Sequence, residues 1–259
     1  MKPSTTYQLP FKFLVSEGPL FGAGISTRVS LTVAGRPDMD DVRPLLHAKL
    51  MHFGVLCATG AFGVVPPQGF DPMTPLFESA EEGEEFLAWT LTGWPAGDDA
   101  VAVLASLFMS GDVAPLLERV EISAKGKTCT SVLPLDGRVE QSYPPRATLP
   151  FPNHISHEGQ DKFELNLSFN GSPPDEGKGE IEQLLLLWAH AASSGAYGVS
   201  PVEPLKCSFQ FLEEVDWFGD RLTWHISRFR AHADALDGLM NVCGTIHARL
   251  WPIVACKID

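Results

Sequence analysis

Basic residues are scarce in this 259-residue chain: 19 Lys and Arg stand against 32 Asp and Glu, a formal net charge of −13. Such a surface repels phosphate backbones and anionic headgroups, which disfavours nucleic acid and membranes as partners. Cysteine is sparse too. Cys57, Cys129, Cys207, Cys243 and Cys256 are odd in number, scattered and never in a CxxC pair. That argues against a disulfide framework or a zinc site and suits buried thiols in a reducing cytosol. Long apolar runs are missing: the longest beside a helix is 184–189, far short of the roughly 20 residues that span a bilayer. The first residues carry no leader pattern of basic then apolar residues, so a cytoplasmic protein is expected. Apolar residues as such are plentiful. At 44% of the chain they supply real cores and exclude global disorder.

Catalytic signatures are also wanting. There is no Gly-x-Ser-x-Gly, and Gly126-Lys127 stands without the rest of a phosphate loop. Gly22-Ala23-Gly24 lacks the third glycine and the following helix of a dinucleotide fingerprint. His154 and His157, beside Glu158, have no third ligand at a useful spacing. His47 and His52 are five apart, which takes them off one helical face. His190 and His225 lie near Trp188 and Trp224 and read as core or surface histidines. No catalytic residue, metal or cofactor is expected.

What the chain does have is a repeat. Residues 58–66 read ATGAFGVVP and residues 193–201 read SSGAYGVSP, 135 positions later. Upstream, 28–35 (RVSLTVAG) aligns with 164–171 (ELNLSFNG); downstream, Leu87 and Trp89 fall on Leu222 and Trp224, and Asp99-Ala100 on Asp234-Ala235. An ordered series of matches over so many positions indicates duplication, which governs the fold.

Hydrophobic periodicity supplies the elements. Residues 7–15 alternate as a strand that Pro10 either confines to a sheet edge or interrupts, and 27–34 place Val29, Leu31 and Val33 on one strand face. A helix follows to about Thr59, with acidic residues at its start, and Gly60 and Gly63 end it as left-handed caps that permit close approach. A phosphate cradle is the other reading of this loop, but it follows a helix C-terminus instead of preceding an N-terminus. Strands are expected at 74–79 and 85–91, a helix at 98–109 and a strand at 116–124. The second half repeats them at 163–170, 180–193, 206–212, 221–228, 232–242 and 252–258. This β-α-β-β-α-β order predicts an α+β fold of two tandem ferredoxin-like repeats related by internal duplication. The expected divisions are an extension at 1–26, a first repeat at 27–124, a Pro- and Gly-rich linker at 125–161, in which 128–133 extends a hairpin, and a second repeat at 162–259.

Between the second and third strands of each repeat stands an acidic hairpin. The first carries Glu78, Glu81, Glu82, Glu84 and Glu85; the second carries Glu213, Glu214, Asp216, Trp217 and Phe218. Either run reads as a solvated turn or as a docking surface. In the second, large aromatics inside a charged rim have the composition of a protein-binding hot spot, though they could equally tuck back onto the sheet.

In net charge, in these two acidic runs and in its want of an active site, the chain resembles the immunity proteins of bacterial polymorphic and type VI secretion toxin systems. The resemblance implies a basic protein partner, a cognate toxin such as a nuclease, neutralised by occlusion of its active site. Tandem ferredoxin-like repeats also resemble the dimeric α/β-barrel families, including chlorite dismutase-like haem proteins. That alternative implies an axial histidine, His190 or His225, with Tyr197 or Arg228 nearby. A small-molecule sensor using the cleft between repeats is a third reading.

Overall fold

The structure of the chain is a computed structural model. It describes residues 5–8, 10–35, 38–78, 80–109, 113–124, 127, 131–132, 138–141, 143–156, 161–197, 208–231 and 233–259. His157, Glu158, Cys129, Cys207 and the end of the second glycine motif lie outside them.

In chain order, strands β1 (Thr5–Gln8), β2 (Lys12–Val15) and β3 (Ser26–Val33) lead to helix α1 (Met39–Thr59) and the short helix α2 (Met73–Glu78). Strands β4 (Glu81–Gly83) and β5 (Phe86–Thr92), helix α3 (Ala100–Met109) and strand β6 (Leu117–Ala124) complete the first half. Strands β7 (Ser131–Val132), β8 (Arg138–Gln141) and β9 (Asn153–Ile155) precede the second half. That half runs β10 (Lys162–Phe169), α4 (Asp175–Ala191), a π-turn at Ala192–Ala196, β11 (Ser208–Phe211), β12 (Asp216–Phe218), β13 (Arg221–Arg230), α5 (Asp234–Arg249) and β14 (Ile253–Ile258).

The protein is therefore mixed α+β, with two principal sheets. One has the order β4-β5-β3-β6-β2-β7 and the other β11-β13-β10-β14-β9, with β12 also pairing β13. The five-strand order is the same in both halves. In each, a strand from outside the expected repeat, β2 or β9, lies parallel to the half's last strand, β6 or β14. The segments expected to be extension and linker thus contribute a matching parallel strand to each sheet, the edge strand β9 in one and β2, itself flanked by β7, in the other.

Along β3 every second residue is buried, and Val29, Leu31 and Val33 form the inner face. Period-2 side chains demand one covered face, and α1 and α3 provide it. The Asp38 side chain accepts from the Asp40 N–H at 3.0 Å at the start of α1, and Gly60 closes it in the left-handed region at φ 76°. Helix α3 is buried on all sides from Ala100 to Phe108, so it needs a partner on the face away from its sheet. That partner is the other half. Helix α1 packs on α4, and α3 packs on the π-turn after α4. The layers run sheet, helices, helices, sheet, and buried residues of both halves form one continuous core.

Several expected elements differ. Residues 74–79 were expected as a strand, but Met73–Glu78 is helical; its signal is Asp71, whose side chain accepts from the Met73 N–H at 2.9 Å, followed by Pro75 in the first turn. The expected strand at 7–15 is two strands separated by Pro10: β1 pairs β8 in a small sheet of its own. Helix α5 runs to Arg249, well past the expected 242, and α4 begins earlier, at Asp175. Of the hairpin expected at 128–133, the described residues Ser131–Val132 form β7, paired antiparallel with β2, and the others lie outside the described residues.

Candidate functional site

The duplicated glycine motif builds the joint between the halves. Asn241 on α5 is 2% exposed, and its amide donates to the Ala61 carbonyl at 3.0 Å and to the Pro145 carbonyl at 3.2 Å. Its Oδ1 accepts from the Ala147 N–H at 2.8 Å. One buried side chain thereby ties the first motif, the 143–151 segment and the second half together. Thr245, one turn on, lies over Gly60 so closely that a Cβ there would overlap its Oγ1. Ser106, 135 residues before Asn241, is the matching buried polar residue on α3, with its hydroxyl 3.0 Å from the Tyr143 hydroxyl. The Tyr143 ring packs against Tyr197 of the second motif at 5.3 Å, tilted by 53°. The segment from Tyr143 to Phe151 is thus a strap along the joint, packed at both ends.

The structure separates the two acidic hairpins, which stand at the edges of different sheets. In the first, Glu78 ends α2, Glu81 and Glu82 lie on β4, and Glu84 and Glu85 make the turn into β5. Arg28 grips Glu81 through both guanidinium nitrogens, at 2.7 and 2.8 Å, and holds its carboxyl below the usual range. Arg43 reaches Glu82 at 2.7 Å and Asp40 at 3.3 Å. The chain itself thus neutralises Glu81 and Glu82.

The second hairpin differs. Glu213 and Glu214 occupy the bend between β11 and β12, and no ion pair reaches either among the described residues. Its aromatics part company. Trp217 turns inward: its indole N–H donates to Glu182 at 2.7 Å, its ring stacks on Phe169 at 5.5 Å, and Lys178 lies 5.6 Å over it. Phe218 points outward and is 71% exposed, and Leu212, at the other end of the bend, is 53% exposed. The Trp224 indole N–H donates to the Leu212 carbonyl at 2.7 Å and fixes the backbone there. Strand alternation sends neighbours to opposite faces, which is why one aromatic anchors and the next is presented.

Beside this bend lies a cavity of about 1060 Å³, bordered by Glu213, Gln210, His225 and Arg228. His225 sits on the outer sheet face, with Nδ1 3.2 Å from Glu164 and Nε2 3.8 Å from Asp216. Arg228 takes a left-handed φ of 53° where the β11–β13 register slips, a bulge that turns its side chain out. His190 lies on α4, edge-on to Phe211 at 4.9 Å. The helical layers meet and the sheets face outward, so the described residues enclose no barrel interior for His190 and His225 to share.

Sequence reasoning missed a polar cluster at the α1–α4 joint. His52 Nε2 lies 3.3 Å from the Ser194 hydroxyl, which donates to the His190 carbonyl at 2.9 Å, and Lys49 donates to the Ser194 carbonyl at 3.1 Å. Burial, and after it Lys49 and His190, pulls the His52 pKa down to about 4. Residues so far apart in sequence carry no common motif; only the packing of the halves brings them together. Of the thiols expected to be buried, Cys57, Cys243 and Cys256 are buried and free. Among the described residues no cluster of His, Cys, Asp or Glu could hold a metal ion, and no helix is long and apolar enough to cross a membrane.

Comparison with known proteins adds little. No protein-family model matches the chain, and no curated protein matches it. Solved structures similar to it include complex III2 from Candida albicans with Inz-5 bound, at 10% identity over 88% of this chain and 72% of that one, with a TM-score of 0.18. Another is a structure described as a predicted insulinase family protease from Yersinia pestis, at 10% identity over 91% and 71%, also with a TM-score of 0.18. Overlap at that level carries no conclusion about fold or function.

Proposed function

We propose that this chain is a binding protein that neutralises a basic protein partner, as immunity proteins neutralise toxins, and that the second acidic hairpin is its docking surface. The observation behind this reading is the pairing of an exposed Phe218 with the carboxylates Glu213 and Glu214, exposed and without an ion pair among the described residues, on a bend anchored by Trp217. A large apolar side chain presented from a rigid support loses little freedom on binding, and a charged rim speeds encounter with an oppositely charged surface. The first hairpin contributes less, because Arg28 and Arg43 already hold Glu81 and Glu82. For the fold, we infer two ferredoxin-like repeats derived by duplication; the common strand order of the two sheets and the 135-residue offset support this.

The test is capture of a partner by the intact protein, followed by assay of that partner's activity with and without it. Phe218→Ala is expected to weaken the complex by tenfold or more, chiefly through faster dissociation. Glu213→Gln with Glu214→Gln should slow association and flatten its salt dependence. Glu78→Gln with Glu84→Gln should change little. A complex indifferent to Phe218 and to salt would remove this hairpin from the interface, and a captured partner whose activity continues undiminished would end the neutralisation reading.

A further inference from the structure

The two halves leave an open cleft of about 710 Å³ where the first glycine motif meets the second half. Gln68, just beyond that motif, forms one side. Helix α4 supplies Glu180, Leu184 and Leu187, whose spacing places one carboxylate and two leucines on a single helical face. The last turns of α5 supply Thr245 and Arg249, again four apart. Sites of this size at the junction of two structural units are a common setting for small ligands.

Three features say what would fit. Glu180 and Arg249 border the same cleft, yet neither has an ion-pair partner among the described residues, so one charge of each sign is offered to a guest. Leu187 is partly exposed beside Leu184 and gives an apolar floor between those charges. Thr245 is 2% exposed, and its hydroxyl has no hydrogen-bond partner among the described residues. That hydroxyl is turned against Gly60 and sealed from solvent, so Thr245 closes the end of the cleft and offers the guest no polar atom.

We propose that this cleft binds a zwitterion bearing an aliphatic side chain, a branched-chain α-amino acid or a short peptide of such residues. Arg249 takes the carboxylate in its planar fork, Glu180 takes the ammonium, and Leu184 and Leu187 receive the side chain. Gln68 meets a remaining polar atom of the guest. Because Gln68 comes from one half and the other groups from the second, the guest bridges the joint. This inference goes beyond the docking reading and does not depend on it.

Calorimetric titration of the full chain with leucine, Leu-Leu, 4-methylpentanoate and 3-methylbutylamine tests it. The zwitterions are expected to bind, and each analogue lacking one charge to bind at least tenfold more weakly. Arg249→Gln should cost the zwitterions tenfold or more and leave 3-methylbutylamine unchanged; Glu180→Gln should do the reverse, sparing 4-methylpentanoate. Both side chains are exposed, so neither change endangers folding. Stronger binding of Leu-Leu than of leucine assigns the peptide as guest, and the converse assigns the free amino acid. The proposal is overturned by absence of binding at millimolar zwitterion, by equal binding of the singly charged analogues, or by affinity unchanged in both variants.

Discussion

His52 shows at the scale of one residue how the joint constrains chemistry. The Ser194 hydroxyl spends its proton on the His190 carbonyl, so its oxygen is free to accept from His52 Nε2, which assigns the proton of the neutral ring to that nitrogen. His52 Nδ1 is buried with no partner among the described residues, so a second proton would create a charge with nothing to stabilise it. The folded pKa of about 4 lies below the ordinary 6.5. Between those values the unfolded chain binds more protons than the folded one. His52 therefore contributes stability that is complete above about pH 6.5 and is lost as pH falls toward 4. Part of the ring reaches solvent, which reduces the effect to about 1–2 kcal/mol. Urea unfolding of the protein and of His52→Gln at pH 7.5, 5.5 and 4 is expected to show a flatter acid limb in the variant. Identical limbs would mean that His52 titrates normally in the folded state.

At the scale of elements, Gly60 carries the sharpest prediction. It closes α1 in the left-handed region and lies under Thr245 of the other half. Gly60→Ala incurs about 1 kcal/mol of backbone strain and an overlap besides, for about 2–4 kcal/mol in all. Adding Thr245→Ala removes the overlap but not the strain, so the double variant should regain part of the loss, a non-additivity that thermal melting would detect. If both variants lose equally, Thr245 does not press on Gly60. This glycine cap was legible in the sequence, because a glycine after a periodic apolar run has few other uses. So were the faces of β3 and β10, where alternation is strict. What was hidden has physical reasons. The strands β4 and β12 are three residues each, too short for a period to register, and β9 shares no side-chain pattern with β2. Trp217 and Phe218 are adjacent and similar in character; only the register of β12 on β13 decides which turns inward. The Lys49–His52–Ser194 cluster depends wholly on how the halves dock.

At the scale of the whole molecule, the helical layers face each other, and this makes the halves interdependent. Helix α3 is apolar all round, and α1 is covered by its own sheet on one side and by α4 on the other. Separation of the halves would expose both to water, which favours unfolding as one unit. Asn241 is the polar lock of that joint, and Asn241→Leu would strand the buried Ala61 carbonyl and remove the partner of the part-buried Pro145 carbonyl and Ala147 N–H, at a cost of about 2–3 kcal/mol. The six tryptophans supply reporters on both sides: Trp89 and Trp94 in the first half, Trp188, Trp217, Trp224 and Trp251 in the second. With 5-fluorotryptophan incorporated, fluorine resonances followed through a urea titration are expected to lose intensity at one shared midpoint. Asn241→Leu should move all six to lower urea together, although the substitution lies in the second half alone. Were Trp89 and Trp94 to keep their midpoint while the other four shifted, the joint would be a contact between independent domains. The strap from Tyr143 to Phe151 would then be a tether and not part of the core.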